Sequence, residues 1–441
     1  MATLYPITGG GNWSGSIWKT SPGQAASNHV APLATDDVIF DPLAVGTVTV
    51  DGAGTTCKAK TLTCQSANNK ITLTAAKVLN IYGSVAFFSG MTLSGTGQLN
   101  LRGGGNMTQG VASFPGELLI NIAGTYVLKD NWVVTGLTTF GSNAIVLNHT
   151  AAETLTCNGG LYVAISTSGS AQIIVGGGNL YGYTATAILE NDLQIAPNAA
   201  DVILTATLYY KTGTLSYSAG AHAFNSNSKT LNISGTCTLN TTGLSWYNVT
   251  IGATLTLALS STLTISNALT FGAYTVSITG TGNIDAATVS FSYGSAVITT
   301  DADLSCTKIR VSTGSNLIFA GAFNLECDIL YCNSNGYATA IYLVNGQTLT
   351  VNTDLDLLGC EDFTLTIQSD SPGDASCLDY LGDVDDCRVM GVDFVDIDAS
   401  GSAQAIDDWY GTVDGCANIN ARTSADIGGG SAVADVFGWV A

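Results

Sequence analysis

The sequence is poor in charge, and poorest in positive charge. Thirteen Lys and Arg stand against 33 Asp and Glu in 441 residues, a formal net charge of −20 with only 10% charged residues. A phosphate backbone is held by clustered cations, and none are clustered along this chain, which argues against nucleic-acid binding. An anionic membrane surface is disfavoured for the same reason. Proline is scarce as well, with 7 residues. No apolar run reaches the 18 or more residues of a membrane span, because Gly, Ser, Thr and Asn interrupt every segment, so membrane insertion is not expected. There is no C-x-x-C pair. The 11 Cys are odd in number and scattered, which suits reduced thiols acting as small apolar core residues rather than a disulfide framework. The opening MATLYPITGGG has neither a basic n-region nor an apolar h-region, so synthesis in the cytoplasm without a secretory route is the expectation.

Amphipathic helical periodicity is missing too. What is present is period-two alternation in short runs, such as Thr61-Leu62-Thr63-Cys64, Ile71-Thr72-Leu73-Thr74 and Thr254 to Leu259. Alternation puts Leu, Ile and Val on one face and Thr, Ser or Asn on the other. Gly or Asn often follows, as a chain turning a corner requires. One pentapeptide recurs: LNIYG at 79–83, LNLRG at 99–103, INIAG at 120–124, LNISG at 231–235 and VSITG at 276–280. A repeat near 20 residues is the signature of stacked coils. The expectation is an all-β, right-handed parallel β-helix or β-solenoid, with each pentapeptide as one strand of one coil, Leu79 and Ile81 inward, Asn80 outward and Gly83 at the corner. Between 125 and 230 the register is not legible. The rival architecture is a set of antiparallel sandwiches, which also gives short strands and turn signals.

Composition divides the chain into three zones. Residues 1–56 carry two Trp and read as an N-terminal cap or attachment segment, since an open solenoid end exposes strand edges and apolar core. Residues 57–350 are the solenoid body. Residues 351–441 form an acidic, β-rich C-terminal zone with 18 of the 33 acidic residues and two basic ones, Arg388 and Arg422.

The candidate chemistry lies in that last zone. Asp362, Asp385 and Asp408 belong to acidic pairs spaced 23 residues apart; coils of that length would align them on one face. Paired carboxylates in a groove could serve as general acid and base on a glycosidic bond. Asp385, Asp386 and Asp407 could instead offer hard oxygen ligands to Ca2+, and the plain alternative is a solvated acidic face. Cys360, Cys387 and Cys416, spaced 27 and 29 residues apart, suggest a competing register. Trp246-Tyr247 and Trp409-Tyr410 could stack on sugar rings, although such residues also pack at coil corners. His29, His149 and His222 sit in no catalytic spacing, and the triplets Gly103–Gly105 and Gly176–Gly178 are followed neither by Lys nor by a helix, so they are not phosphate loops.

The stretch Gly9-Gly10-Gly11-Asn12-Trp13 with Trp18, followed by Pro32-Leu33-Ala34-Thr35-Asp36-Asp37-Val38-Ile39-Phe40-Asp41, resembles the opening of β-solenoid structural proteins of tailed bacteriophages, of the tail-fibre or spike kind. The resemblance covers 9–41 closely and the remainder in style. It implies a virion protein, synthesised in the host cytoplasm, that forms a homotrimer, joins other virion proteins and contacts a host-surface glycan. Two further readings share these features: a capsid decoration or head-fibre protein, and a polysaccharide-degrading tailspike using the acidic pairs. The resemblance supplies no catalytic residue and no cofactor.

Overall fold

A computed structural model describes residues 1–22, 29–141, 145–164, 167–182, 188–292, 294–300 and 303–422, the last range without 313, 322–323, 335–336, 345–346, 360–363, 372, 374, 384–385, 404, 410–411 and 415. The described residues form no α-helix, and hence none long and apolar enough to cross a membrane. The fold is a parallel β-solenoid of about 16 turns. Parallel pairing throughout the described coils excludes the antiparallel sandwiches; among the described residues the antiparallel contacts are Tyr5 with Lys19, Pro6 with Trp18, and a bridge from Trp18 to His29. The chain forms two compact units, Met1–Lys229 and Thr230–Ala441, a division that falls at neither 56 nor 350. Parallel pairing already joins Thr3 to Asp37, and it continues through the acidic zone, where Leu365 pairs with Val392.

In the first unit each coil is three short strands. One coil runs Thr61–Cys64, Lys70–Leu73, Val78–Ile81; the next runs Val85–Ala86, Thr92–Ser94, Gln98–Leu101. Alternation drives the fold as expected: Leu62, Ile71, Leu73, Leu79 and Ile81 are all buried. Each such residue contributes about 1.5–3 kcal/mol by leaving water. The stretch 125–230, illegible in the sequence, follows the same plan, with Gly124–Leu128 on Ile145–His149 and Leu161–Val163 on Gly178–Gly182.

The recurring pentapeptide is where sequence and structure part. Leu79 pairs with Leu99 and Ile81 with Leu101, as the repeat implies. Leu101, however, pairs with Ile120. INIAG is therefore displaced by two residues, and its Ile122 is exposed. The later copies lie on different faces: Leu231 pairs with Val249, whereas Val276 pairs with Leu255 in another sheet. Every face of a solenoid asks for inward aliphatics, an outward small polar residue and a turn, so one motif suits them all.

Asn80 also departs from expectation. It lies opposite Leu79 and Ile81 yet is fully buried. Its Nδ2 donates to the carbonyls of Gly54 and Cys57 at 2.7 and 3.2 Å, and its Oδ1 accepts from Asn100 Nδ2 at 3.0 Å. The segment around Gly54 folds over this position, and the amide satisfies its carbonyls. The triplet Gly103–Gly105 is structural. A Cβ at Gly104 would lie 2.6 Å from the Thr125 carbonyl oxygen, so the corner requires backbone against backbone.

From Ser245–Ile251 through Leu365–Ser369 the second unit has two strands per coil, one short and one long; beyond it each coil again has three short strands, as in Ser376–Tyr380, Cys387–Met390 and Val392–Val395. The long strands include Leu263–Phe271, Ile284–Phe291, Leu304–Val311, Leu325–Asn333 and Thr348–Leu358. Each bends partway. Register shifts occur between Trp246 and Asn248, Ile265 and Ala268, and Cys327 and Ile329. At the bend of Leu263–Phe271, Ser266 and Asn267 both face out, between buried Leu263 and Ile265 on one side and Leu269 and Phe271 on the other. Phe271 and Phe291 stack at 5.3 Å, and Phe291 meets Phe319 edge-on at 5.7 Å.

Candidate functional site

The bends of the long strands create a site. Before the bend, an outward row runs rung by rung through Thr264, Asp285, Ser305, Glu326 and Thr350. Beyond the bend, a second row runs through Thr270, Ser290, Arg310, Tyr331, Asp356 and Arg388. Stacking in register places like positions about 4.8 Å apart.

An open cleft of about 380 Å³ lies along the bend, lined by Ser266, Asp285, Ser305, Glu326, Asp328 and Asn352 among others. Asn352 Nδ2 reaches Glu326 Oε1 at 2.9 Å and Asp328 Oδ1 at 3.4 Å. The amide fixes both carboxylates, which keep lone pairs free to accept from hydroxyl groups. Cys306 borders the cleft, but burial pushes its thiol up to about 12, so it is no thiolate nucleophile. Cleft chemistry is thus that of hydroxyl, carboxylate and amide groups.

Arg310 of the second row is exposed, and Lys308, two residues before it, is half-buried and reaches the same aromatic ring. Lys308 Nζ lies 5.0 Å and the Arg310 guanidinium 5.9 Å from the Tyr331 ring centroid. One rung on, Asp356 is buried and accepts from Arg388 Nη2 at 3.0 Å. Burial raises the Asp356 carboxyl above its usual range, and Arg388 opposes the shift. Lys308 and Arg310 are neighbours in sequence, and the coil register brings Arg388 into their row.

The sequence candidates are dispersed. Asp362, Asp385 and Tyr410 lie outside the described residues, as does Cys360. The backbone of Trp409 pairs with Met390 and Arg422. Asp408 does not face a groove. It pairs with Val389 and is fully buried in the core column. Its Oδ1 lies 3.4 Å from the Val392 amide nitrogen, Oδ2 has no hydrogen-bond partner, and burial pushes the carboxyl up to about 7. Asp407, its neighbour, faces outward and accepts from Asn420 Nδ2 at 2.9 Å. Adjacent residues of a strand point to opposite faces, so an Asp-Asp pair within a strand cannot present two carboxylates together. Asp386 is exposed and donates its backbone N–H to the Asp383 carbonyl. Among the described residues no three His, Cys, Asp or Glu side chains come close enough to hold a metal ion. Cys387 pairs with Leu355, and Cys377 with Thr348 and Asp398, so Cys387 has no cysteine opposite it on the preceding coil. Trp246 is fully buried and offers no face to a sugar, whereas Tyr247 is half-buried at the bend. No described cysteine forms a disulfide, and seven of them are buried.

No family model matches the chain, and comparison with curated proteins and with solved structures finds no similar protein.

Proposed function

We propose that this chain is a structural protein of a tailed-phage virion, a fibre or spike component whose second unit holds a host-surface glycan. The observation carrying the reading is the cleft along the strand bend: an open, repeating row of hydroxyl, carboxylate and amide groups on a rigid scaffold. A glycan presents hydroxyls at regular intervals, and a row repeating at each rung gives many weak contacts in one direction. The phage-like stretch at 9–41 supports the virion setting, and a homotrimer joined to other virion proteins is part of the same reading.

Two measurements test it. On an array of bacterial surface glycans the protein is retained on at least one oligosaccharide, and Asp285→Asn combined with Glu326→Gln abolishes retention; uniform failure to bind overturns the adhesion reading. Light scattering of the native protein returns three times the chain mass of 45.2 kDa; a monomer removes the self-standing trimer.

A further inference from the structure

We infer that the row beyond the bend, centred on Tyr331, is a recognition site for an acidic polysaccharide carrying carboxylates on successive sugars. The inference rests on the glycan-binding reading and names the class of glycan.

From Thr230 onward the chain has four basic residues, Lys308, Arg310, Arg388 and Arg422. Three of them meet on one surface. In a chain with 33 acidic and 13 basic residues, any cation could find a carboxylate. Arg388 does, with Asp356. Among the described residues Lys308 and Arg310 make no ion pair, and their close contact is with the Tyr331 ring. Arg310 is exposed, and the Arg388 side chain is 52% exposed despite its ion pair. An ammonium and a guanidinium held over an aromatic ring are pre-positioned, and they retain N–H donors for a carboxylate.

The spacing selects the ligand. Arg310 and Arg388 occupy positions three rungs apart, about 14 Å at the rung spacing of parallel strands. One terminal acidic sugar reaches one end of that row. A chain with repeated carboxylates reaches both and lies across Tyr331 between them. Asp356 acts as a positioning residue, holding Arg388 at the far end. The surrounding acidic surface repels a polyanion elsewhere, which confines binding to this row. The cleft on the same strands before the bend carries Asp285, Glu326 and Asp328, so it accepts from sugar hydroxyls while the carboxylates of the glycan are held by the row beyond the bend.

The test is titration calorimetry of the full chain with short oligogalacturonate, and with the same oligomer after its carboxyls are reduced to alcohols. The wild type binds the acidic oligomer more tightly, and the preference fades with added salt. Arg310→Ala weakens oligogalacturonate by about tenfold and leaves the reduced oligomer unchanged. Arg310 is exposed and lies outside the core, so this variant folds. Tyr331→Ala weakens both oligomers, and Tyr331→Phe restores them. Equal binding of the acidic and reduced oligomers, or indifference of the acidic one to Arg310→Ala, overturns this inference while leaving the glycan-binding reading in place. Failure of both oligomers here, together with failure on the glycan array, overturns both.

Discussion

The two units solve one problem, closing a coil on itself, by different means. In Met1–Lys229 the corners are loops between strands of two to five residues; in the second unit, from Ser245–Ile251 through Thr348–Leu358, one corner is absorbed as a bend inside strands of up to eleven. The buried polar groups divide accordingly. All four buried asparagines among the described residues, Asn69, Asn80, Asn100 and Asn191, lie in the first unit. Three of them serve backbone carbonyls and Asn100 holds the Asn80 amide: Asn69 donates to Asp41 and Ala44, and Asn191 to Leu147, Gly169 and Ala171, tying successive coils. In the second unit the buried polar residues are mostly Ser and Thr, with short hydroxyl side chains, as where Ser315 donates to the Ser292 carbonyl at 3.0 Å. A loop corner needs an amide to quiet its backbone, while a bent strand keeps most of its ladder. The bend also leaves long uninterrupted rows of side chains, which explains why the cleft and the cationic row belong to the second unit.

The largest expected effect tests the packing side of this contrast. Phe291→Ala removes the middle ring of the Phe271–Phe291–Phe319 column and should cost about 3–5 kcal/mol in urea unfolding. A loss as small as that of a surface change would show that the long ladders, not the inner column, hold the second unit. Next is Asp408. Its folded-state carboxyl lies near 7, above the unfolded value of about 3.9. Its contribution is therefore fully present below about pH 4 and is lost as pH rises through 7. Asp408→Asn should be more stable than wild type at pH 8, by on the order of 3 kcal/mol, with the advantage vanishing by pH 4. An unchanged difference across that range would show that the carboxyl is not buried as placed.

Asn191→Ala sharpens the comparison at the corners. It strips a donor from three carbonyls and should cost about 1–3 kcal/mol, more than Ser315→Ala, with faster amide exchange around Gly169. Equal losses from the two variants would break the distinction between amide-tied and bent corners. The smallest effect is expected at Lys211 and Glu190, 2.8 Å apart at the surface with side chains 49% and 26% exposed. A double-mutant cycle there should give less than about 1 kcal/mol and shrink with salt.

What the sequence disclosed follows from what each position must satisfy locally. Inward alternation at Leu62, Ile71 and Leu79, with small polar residues and glycine between, suffices for a parallel solenoid because every coil repeats the demand. Face and register were not legible: LNIYG and VSITG look alike yet lie in different sheets, since all faces impose one pattern. Asp408 was misread because an acidic residue beside another acid looks solvent-facing, and only the phase of the strand puts it inside. Asn80 was misread because the loop that covers it lies about a coil earlier in the chain. Tyr331, Arg310 and Arg388 carried no sequence signal, their kinship being a matter of rungs rather than spacing.

The regular pairing of Val249, Leu269, Val289 and Ile309 has a consequence for how such a chain can change over generations. Where a position recurs at 20-residue steps, loss or duplication of one such step returns every flanking side chain to a neighbour of the kind it left. Length in this stretch is then a trait that can be altered by one rung, about 4.8 Å, without redesign of the interior, and the binding rows lengthen or shorten with it.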